Sequence, residues 1–189
     1  MSTRGFVAIG KAGGAWDGRY NHSDSYPTWL GEKVFEEAKR WLHNDGHLHG
    51  FAQKLLAAHR WEQFIGEGRD GNESDHITPE NADWLFMEWG YTIDPDARTM
   101  TVIVGCIETP ITLTIHDQRP GAPSREWQTE RYTSAVVTTV SLDGQKPFWE
   151  AVERRGHKLR ERLETRYMRN PEHPDLAGLR ALPTVEVWN

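Results

Sequence analysis

Long apolar runs are missing from this sequence. Stretches such as Val102-Ile103-Val104 fall far short of the roughly 18 residues needed to cross a bilayer as a helix. The N-terminal stretch Met1-Ser2-Thr3-Arg4-Gly5-Phe6 carries one positive charge and only a brief apolar run before Lys11. That is not the pattern of a secretory leader, and a cytoplasmic location is expected. Cysteine is nearly absent as well. Cys106 stands alone, which excludes an intrachain disulfide and any paired-cysteine redox or zinc motif and fits a reducing compartment. Its apolar neighbours Val104 and Ile107 suggest a buried strand, whereas a catalytic thiolate needs an electropositive, partly exposed setting. Positive charge is also in deficit, with 22 Lys and Arg against 28 Asp and Glu and a net charge of −6. A general nucleic-acid binder is therefore not expected, because its affinity comes mainly from cations neutralising phosphates. Nucleophile elbows, zincin motifs and phosphate-binding loops that end in Gly-Lys-Ser/Thr are all lacking.

What is present is aromatic. Nine Trp, six Phe and five Tyr in 189 residues mean that the core is built from large rings more than from aliphatic runs. The length suits one domain over residues 1–189. Within it we read a hairpin plus two helices over 1–65, an exposed loop over 66–83, a β-meander plus a basic helix over 84–169, and an irregular tail over 170–189.

Phe6 to Ile9 reads as a strand, and Gly10-Lys11-Ala12-Gly13-Gly14 as the turn that returns the chain to Arg19 and Tyr20. Val34, Phe35, Ala38, Trp41 and Leu42 share one face of a helix. After the stop signal Asn44-Asp45-Gly46, Leu48, Phe51, Ala52, Leu55, Leu56 and His59 repeat that spacing, which predicts a helical hairpin. Trp84 to Ile93, the turn Asp94-Pro95-Asp96-Ala97 and Thr99 to Gly105 predict a β-hairpin. Ile111, Leu113 and Ile115 mark a further strand, and Arg131 to Leu142 another, rich in β-branched residues. Val185 and Val187 can add an edge strand. Pro147 suits the first turn of a long helix whose Phe148, Val152, Leu159, Leu163 and Tyr167 lie on one side. The fold class is α+β: an antiparallel meander with an N-terminal hairpin, a helical hairpin and a long C-terminal helix packed on one side.

The most unusual segment is Tyr20-Asn21-His22-Ser23-Asp24-Ser25-Tyr26-Pro27. If it is extended, period-2 geometry puts Tyr20, His22, Asp24 and Tyr26 on one face and the small polar Asn21, Ser23 and Ser25 on the other. The first set is the one expected inward. There His22 is the candidate base, Asp24 its orienting carboxylate, and Tyr20 and Tyr26 ligand contacts, with Arg19 and Lys11 as anion contacts. A polar turn with no ligand is the competing reading. The His-x-Asp-x-Tyr-Pro core formed by His22, Asp24, Tyr26 and Pro27, with Gly31 after it and Trp89-Gly90-Tyr91-Thr92-Ile93-Asp94 as a hairpin, resembles a group of small uncharacterised phage and actinobacterial proteins. That resemblance covers about the first fifth of the chain plus the hairpin, and it implies a shared fold without an assigned chemistry. Ser23 and Ser25 depart from the aromatic and the glycine that those proteins carry.

Two further clusters enter. His43, Asp45, His47 and His49 have metal-ligand side chains, but the break at Asn44-Asp45-Gly46 spoils their spacing, so no metal is expected. Between Pro147 and Arg169, the cations Arg154, Arg155, Lys158, Arg160, Arg162, Arg166 and Arg169 outnumber Glu150, Glu153, Glu161 and Glu164. Glu150/Arg154 and similar spacings suit surface ion pairs, and the alternative is a docking face. The function expected first is binding of a small polar or anionic, nucleotide-like ligand at the Tyr20 to Tyr26 face, with acid–base turnover as an extension. A non-enzymatic protein-interaction module that uses the basic helix, with Trp29 or Trp149 as exposed anchors, is second. No motif names a cofactor or an oligomeric state.

Overall fold

The computed structural model describes residues 3–66, 76–116, 125–169 and 186–188, with side chains described through 108 and over 132–164. β1 (Gly5–Gly10) and β2 (Trp16–Asn21) form the expected N-terminal hairpin. Its turn closes through Lys11 N–H to the Ala15 carbonyl at 3.2 Å and Gly14 N–H to the Lys11 carbonyl at 3.0 Å. A π-helical turn over Pro27–Gly31 leads into α1 (Glu32–Asp45), followed by α2 (His49–Ala57) and a single turn, α3 (Trp61–Phe64). β3 (His76–Ile77), β4 (Trp89–Asp94), β5 (Thr99–His116), β6 (Arg125–Ser141), α4 (Trp149–Arg169) and β7 (Glu186–Trp188) complete the order.

The strands form one sheet in the order β3-β2-β1-β4-β5-β6, with β7 also beside β5. It is mostly antiparallel, with mixed α and β content, as an α+β fold requires. The meander expectation is corrected in one respect: β1 runs parallel to β4, from Gly5↔Trp89 to Ile9↔Ile93. The N-terminal hairpin thus extends the meander instead of standing apart from it. The strands expected at Thr99–Gly105 and Ile111–Ile115 are one strand, β5, interrupted by a bulge between Val104 and Ile107. Cys106 sits in that bulge at φ 55°.

Alternation along the central strands divides the core between the two faces of the sheet. Val7, Trp89, Tyr91, Ile93, Met100, Val102 and Val104 face the helices, burying about 1.5–3 kcal/mol of transfer free energy for each large side chain. Phe6, Ala8, Trp16 and Ile103 face the other way, under Trp84 and Met87. Phe6 stacks on Trp16 with ring centroids 4.6 Å apart. It lies across Gly90, where an added Cβ would come within 2.3 Å of the Phe6 ring. Helix α1 buries Val34, Phe35, Ala38 and Leu42, as its spacing predicts, and ends at Gly46, whose φ of 71° suits glycine.

Helix α4 begins at Trp149, two residues after Pro147, and lies across β5 and β6. Its inward residue is Trp149 at 3% exposure, while Phe148 is 67% exposed, which reverses the expected pair. The reason is where the helix begins. Trp149, Val152, Gly156, Leu159 and Leu163 follow a three-and-four spacing inside α4, whereas Phe148 stands just before the helix, its carbonyl accepting from the Ala151 and Val152 N–H groups. At Gly156 the helix touches the sheet, since a Cβ there would meet the Trp89 ring at 2.3 Å.

Candidate functional site

Strand β2 ends at Asn21, where its pairing with β1 runs out at Gly5. Beyond that point there is no ladder to maintain the alternation, and the expected inward face is corrected. Asn21 and Ser25 are the buried residues, and His22, Ser23 and Asp24 are exposed. The Asn21 side-chain amide donates to the Ser25 hydroxyl at 2.7 Å and to the Ser23 carbonyl. The Ser25 N–H donates to the Thr3 carbonyl at 3.1 Å. Tyr91 Oη donates to the Ser25 carbonyl at 2.7 Å. Buried polar groups must be hydrogen-bonded, and this segment satisfies them internally. Asp24 takes the left-handed conformation, φ 53°, which closes the loop. Tyr20 and His22 still meet edge to face, 6.0 Å between centroids, and the His22 N–H donates to Glu62 at 3.1 Å. Tyr26 is half-buried, and its carbonyl accepts from Trp29 at 3.0 Å and Gly31 at 3.2 Å.

Neither expected anion contact joins this group. Arg19 lies on the helix-facing side of β2, at 7% exposure. Its guanidinium donates to the Ala58 carbonyl at 2.6 Å, the Gly18 carbonyl at 2.8 Å, Asp17 at 2.9 Å and the Leu56 carbonyl. Leu56 and Ala58 close the C-terminal end of α2, so Arg19 satisfies carbonyls that the helix leaves open. Lys11 is exposed at the opposite end of the hairpin, 3.9 Å from Asp94. A six-residue strand separates it from His22 by about 20 Å. Tyr91, beneath Ser25, is fully buried, and burial followed by the nearby Glu153 carboxylate holds its phenol well above the ordinary range.

His43, His47 and His49 are exposed, with the rings of His47 and His49 5.1 Å apart. Among the described residues no three His, Cys, Asp or Glu side chains converge as a metal site. The Cys106 thiol donates to the Leu85 carbonyl at 3.4 Å, and burial, then Glu88, pushes it up to about 11.

A groove with a cavity volume of about 630 Å³ opens between α4 and β6. Its floor is aliphatic: Val136, Val137, Ala151 and Leu159. Its wall is cationic: Arg154, Arg155, Lys158 and Arg162. The sequence flagged the helix as basic but not the groove, because Val136 and Val137 meet it only through tertiary packing. The signal available was two adjacent valines where β6 should alternate. The register of β6 against β5 shifts there, from Val102↔Thr138 to Ile103↔Val136, leaving Val137 as the extra residue. Val137 is buried under Gly156, and Val136 remains 50% exposed.

The expected ion pairs along α4 are not formed on this flank. Among the described residues, Arg154, Arg155, Lys158 and Arg162 have no carboxylate within 4.0 Å. The carboxylate turned the other way is Glu153, which accepts from Thr28 N–H at 3.3 Å and Thr28 Oγ1 at 2.7 Å and lies 3.9 Å from His157. Helix α4 is therefore tied to the π-helical turn by one flank and presents its cations on the other. Of the expected aromatic anchors, Trp29 is 55% exposed and stacked by Lys33 at 4.7 Å, and Trp149 is buried.

Among the described residues, no helix is long and apolar enough to cross a membrane. Comparison with known proteins finds no matching family model, no similar curated protein and no similar solved structure.

Proposed function

We propose that this protein is a non-enzymatic interaction module that takes an anionic partner into the groove between α4 and β6. The observation that carries the reading is the row of Arg154, Arg155, Lys158 and Arg162 around an aliphatic floor, without carboxylate partners among the described residues. Like charges held together on one helix face destabilise it by several tenths of a kcal/mol per pair, so the arrangement is unfavourable for the isolated fold. A bound anion removes that repulsion. From Pro147 to Arg169 there are seven cations and four carboxylates, and elsewhere 15 cations and 24 carboxylates. The positive field is local, and an anion is attracted to this one face of an acidic protein.

The segment Tyr20 to Tyr26 supports the ligand-pocket reading less well. Its buried polar groups are engaged with one another, and Arg19 and Lys11 lie elsewhere.

Retention on immobilised poly-glutamate tests the reading. Wild-type protein is retained at low salt and released as salt screens exposed charges over roughly 10 Å at 0.1 M. The triple variant Arg155→Glu, Lys158→Glu and Arg162→Glu passes through unretained while melting within about 3 °C of wild type. Retention equal to wild type by a folded triple variant would remove the groove as the site.

A further inference from the structure

The shape and spacing of the groove say more about the partner than its charge does. Resting on the anionic-partner reading above, we infer that the occupant is an acidic amphipathic helix of another protein, lying along α4 with aliphatic side chains on the floor.

Three observations lead there. First, Arg154, Lys158 and Arg162 stand at i, i+4 and i+8 on α4, and Ala151, Arg155 and Leu159 form the adjacent row. Successive cations in the first row therefore rise by about 6 Å, one helical i, i+4 step. A partner helix with carboxylates at i, i+4 and i+8 has the same repeat, and each carboxylate meets one cation. Second, among the described residues the floor is made of Val136, Val137, Ala151 and Leu159, with no aromatic ring and no hydroxyl or amide side chain. Single-stranded nucleic acid is held by rings on which its bases stack, and the described lining supplies none. Aliphatic walls take Leu, Ile or Val, in the helix-in-groove mode of recognition. Third, β6 carries its bulge at Val137, inside the groove. Bulges disrupt regular pairing along a strand edge, which disfavours an extended peptide added to β6 at this point. Adding a helix beside α4 needs no hydrogen bonds from β6.

The probes are three fluorescein-labelled polyanions of equal charge. One is a peptide of about 18 residues, long enough to be partly helical, with Glu at every fourth position and Leu on the neighbouring row. The second is the same composition scrambled so that Glu and Leu are spread around the helix, and the third is single-stranded DNA. Binding to the full chain is followed by fluorescence anisotropy, and peptide helicity by circular dichroism. The expected result is that the patterned peptide binds at least tenfold more tightly than either other probe and gains helicity when bound. Val136→Asp, at an exposed position that should leave folding intact, weakens the patterned peptide at least tenfold. Equal binding of the patterned and scrambled peptides, or tighter binding of DNA, would overturn the helical partner while leaving anion recognition standing. Failure of all three probes together with poly-glutamate would overturn the underlying reading itself. Unchanged affinity in Val136→Asp would show that the aliphatic floor is not occupied.

Discussion

Replacing Arg19 with Met separates a structural from a ligand-binding role for that residue. Methionine keeps most of the aliphatic stem that Arg19 packs between β2 and α2, but it removes every donor. The carbonyls of Ala58 and Gly18 accept from Arg19 at 2.6 and 2.8 Å in buried positions, whereas the Leu56 carbonyl and Asp17 are only partly buried. A buried acceptor left without its donor costs about 1–3 kcal/mol. Water can reach the two partly buried ones, which then add little. Two buried carbonyls place the expected loss at about 2–5 kcal/mol, a large share of the roughly 5–15 kcal/mol available to a domain. Urea denaturation at neutral pH reads this loss as a lower midpoint with an unchanged slope. Hydrogen exchange adds location, because the amides in the last turn of α2 should lose protection first. Arg19→Lys, which keeps the charge but not the planar fork, should recover only part of the loss. A midpoint for Arg19→Met within about 0.5 kcal/mol of wild type, with protection at the end of α2 intact, would refute the reasoning and return Arg19 to the ligand contacts.

The same structure fixes the outcome of five further perturbations. Asn21→Ala should cost about 1–2 kcal/mol in urea denaturation by freeing the Ser25 turn, whereas Asp24→Gly should leave the melting temperature unchanged or higher, since glycine suits φ 53°. A clear loss in Asp24→Gly would mean that the carboxylate itself holds the loop. Gly156→Ala would gain about 1 kcal/mol from helix propensity alone, but the Trp89 contact costs about 1–3 kcal/mol, so calorimetry should show no gain or a net loss. A gain of about 1 kcal/mol would mean that α4 stands farther from the sheet. Tyr91 favours its neutral form in the fold, so above about pH 10 the unfolded chain gives up a proton that the native state keeps, and stability falls with rising pH. Tyr91→Phe should flatten stability between about pH 9 and 12, and a slope equal to wild type would contradict the burial of the phenol. With its thiol at about 11, Cys106 should react with iodoacetamide at pH 8 about a hundredfold more slowly than it does in the urea-unfolded chain. Comparable rates in the native and unfolded chain would show an open thiol.

What the sequence determined by itself were the features that depend on neighbours within a turn or two along the chain. The stripe Val34, Phe35, Ala38 and Leu42, the stop at Gly46, the hairpin across Asp94 to Ala97 and the cationic run along α4 all come from local spacing and turn chemistry. Composition was equally readable, since a chain with nine tryptophans builds much of its core from rings, as Trp16, Trp61, Trp89 and Trp149 do. Tertiary structure decided wherever two alternatives were locally equivalent. Period 2 offered two faces for Tyr20 to Tyr26, and the end of pairing at Gly5↔Asn21 together with the hydrogen bond from the buried Tyr91 hydroxyl to the Ser25 carbonyl turned Asn21 and Ser25 inward. Phe148 and Trp149 are adjacent aromatics, and only the approach of α4 to Trp89 at Gly156 chose between them. Arg19 looked like a free cation until α2 ended over it. The groove belongs wholly to this second kind. Its cations come from one helix and its floor partly from a bulged strand that β5 holds in place, so no window of sequence contains it.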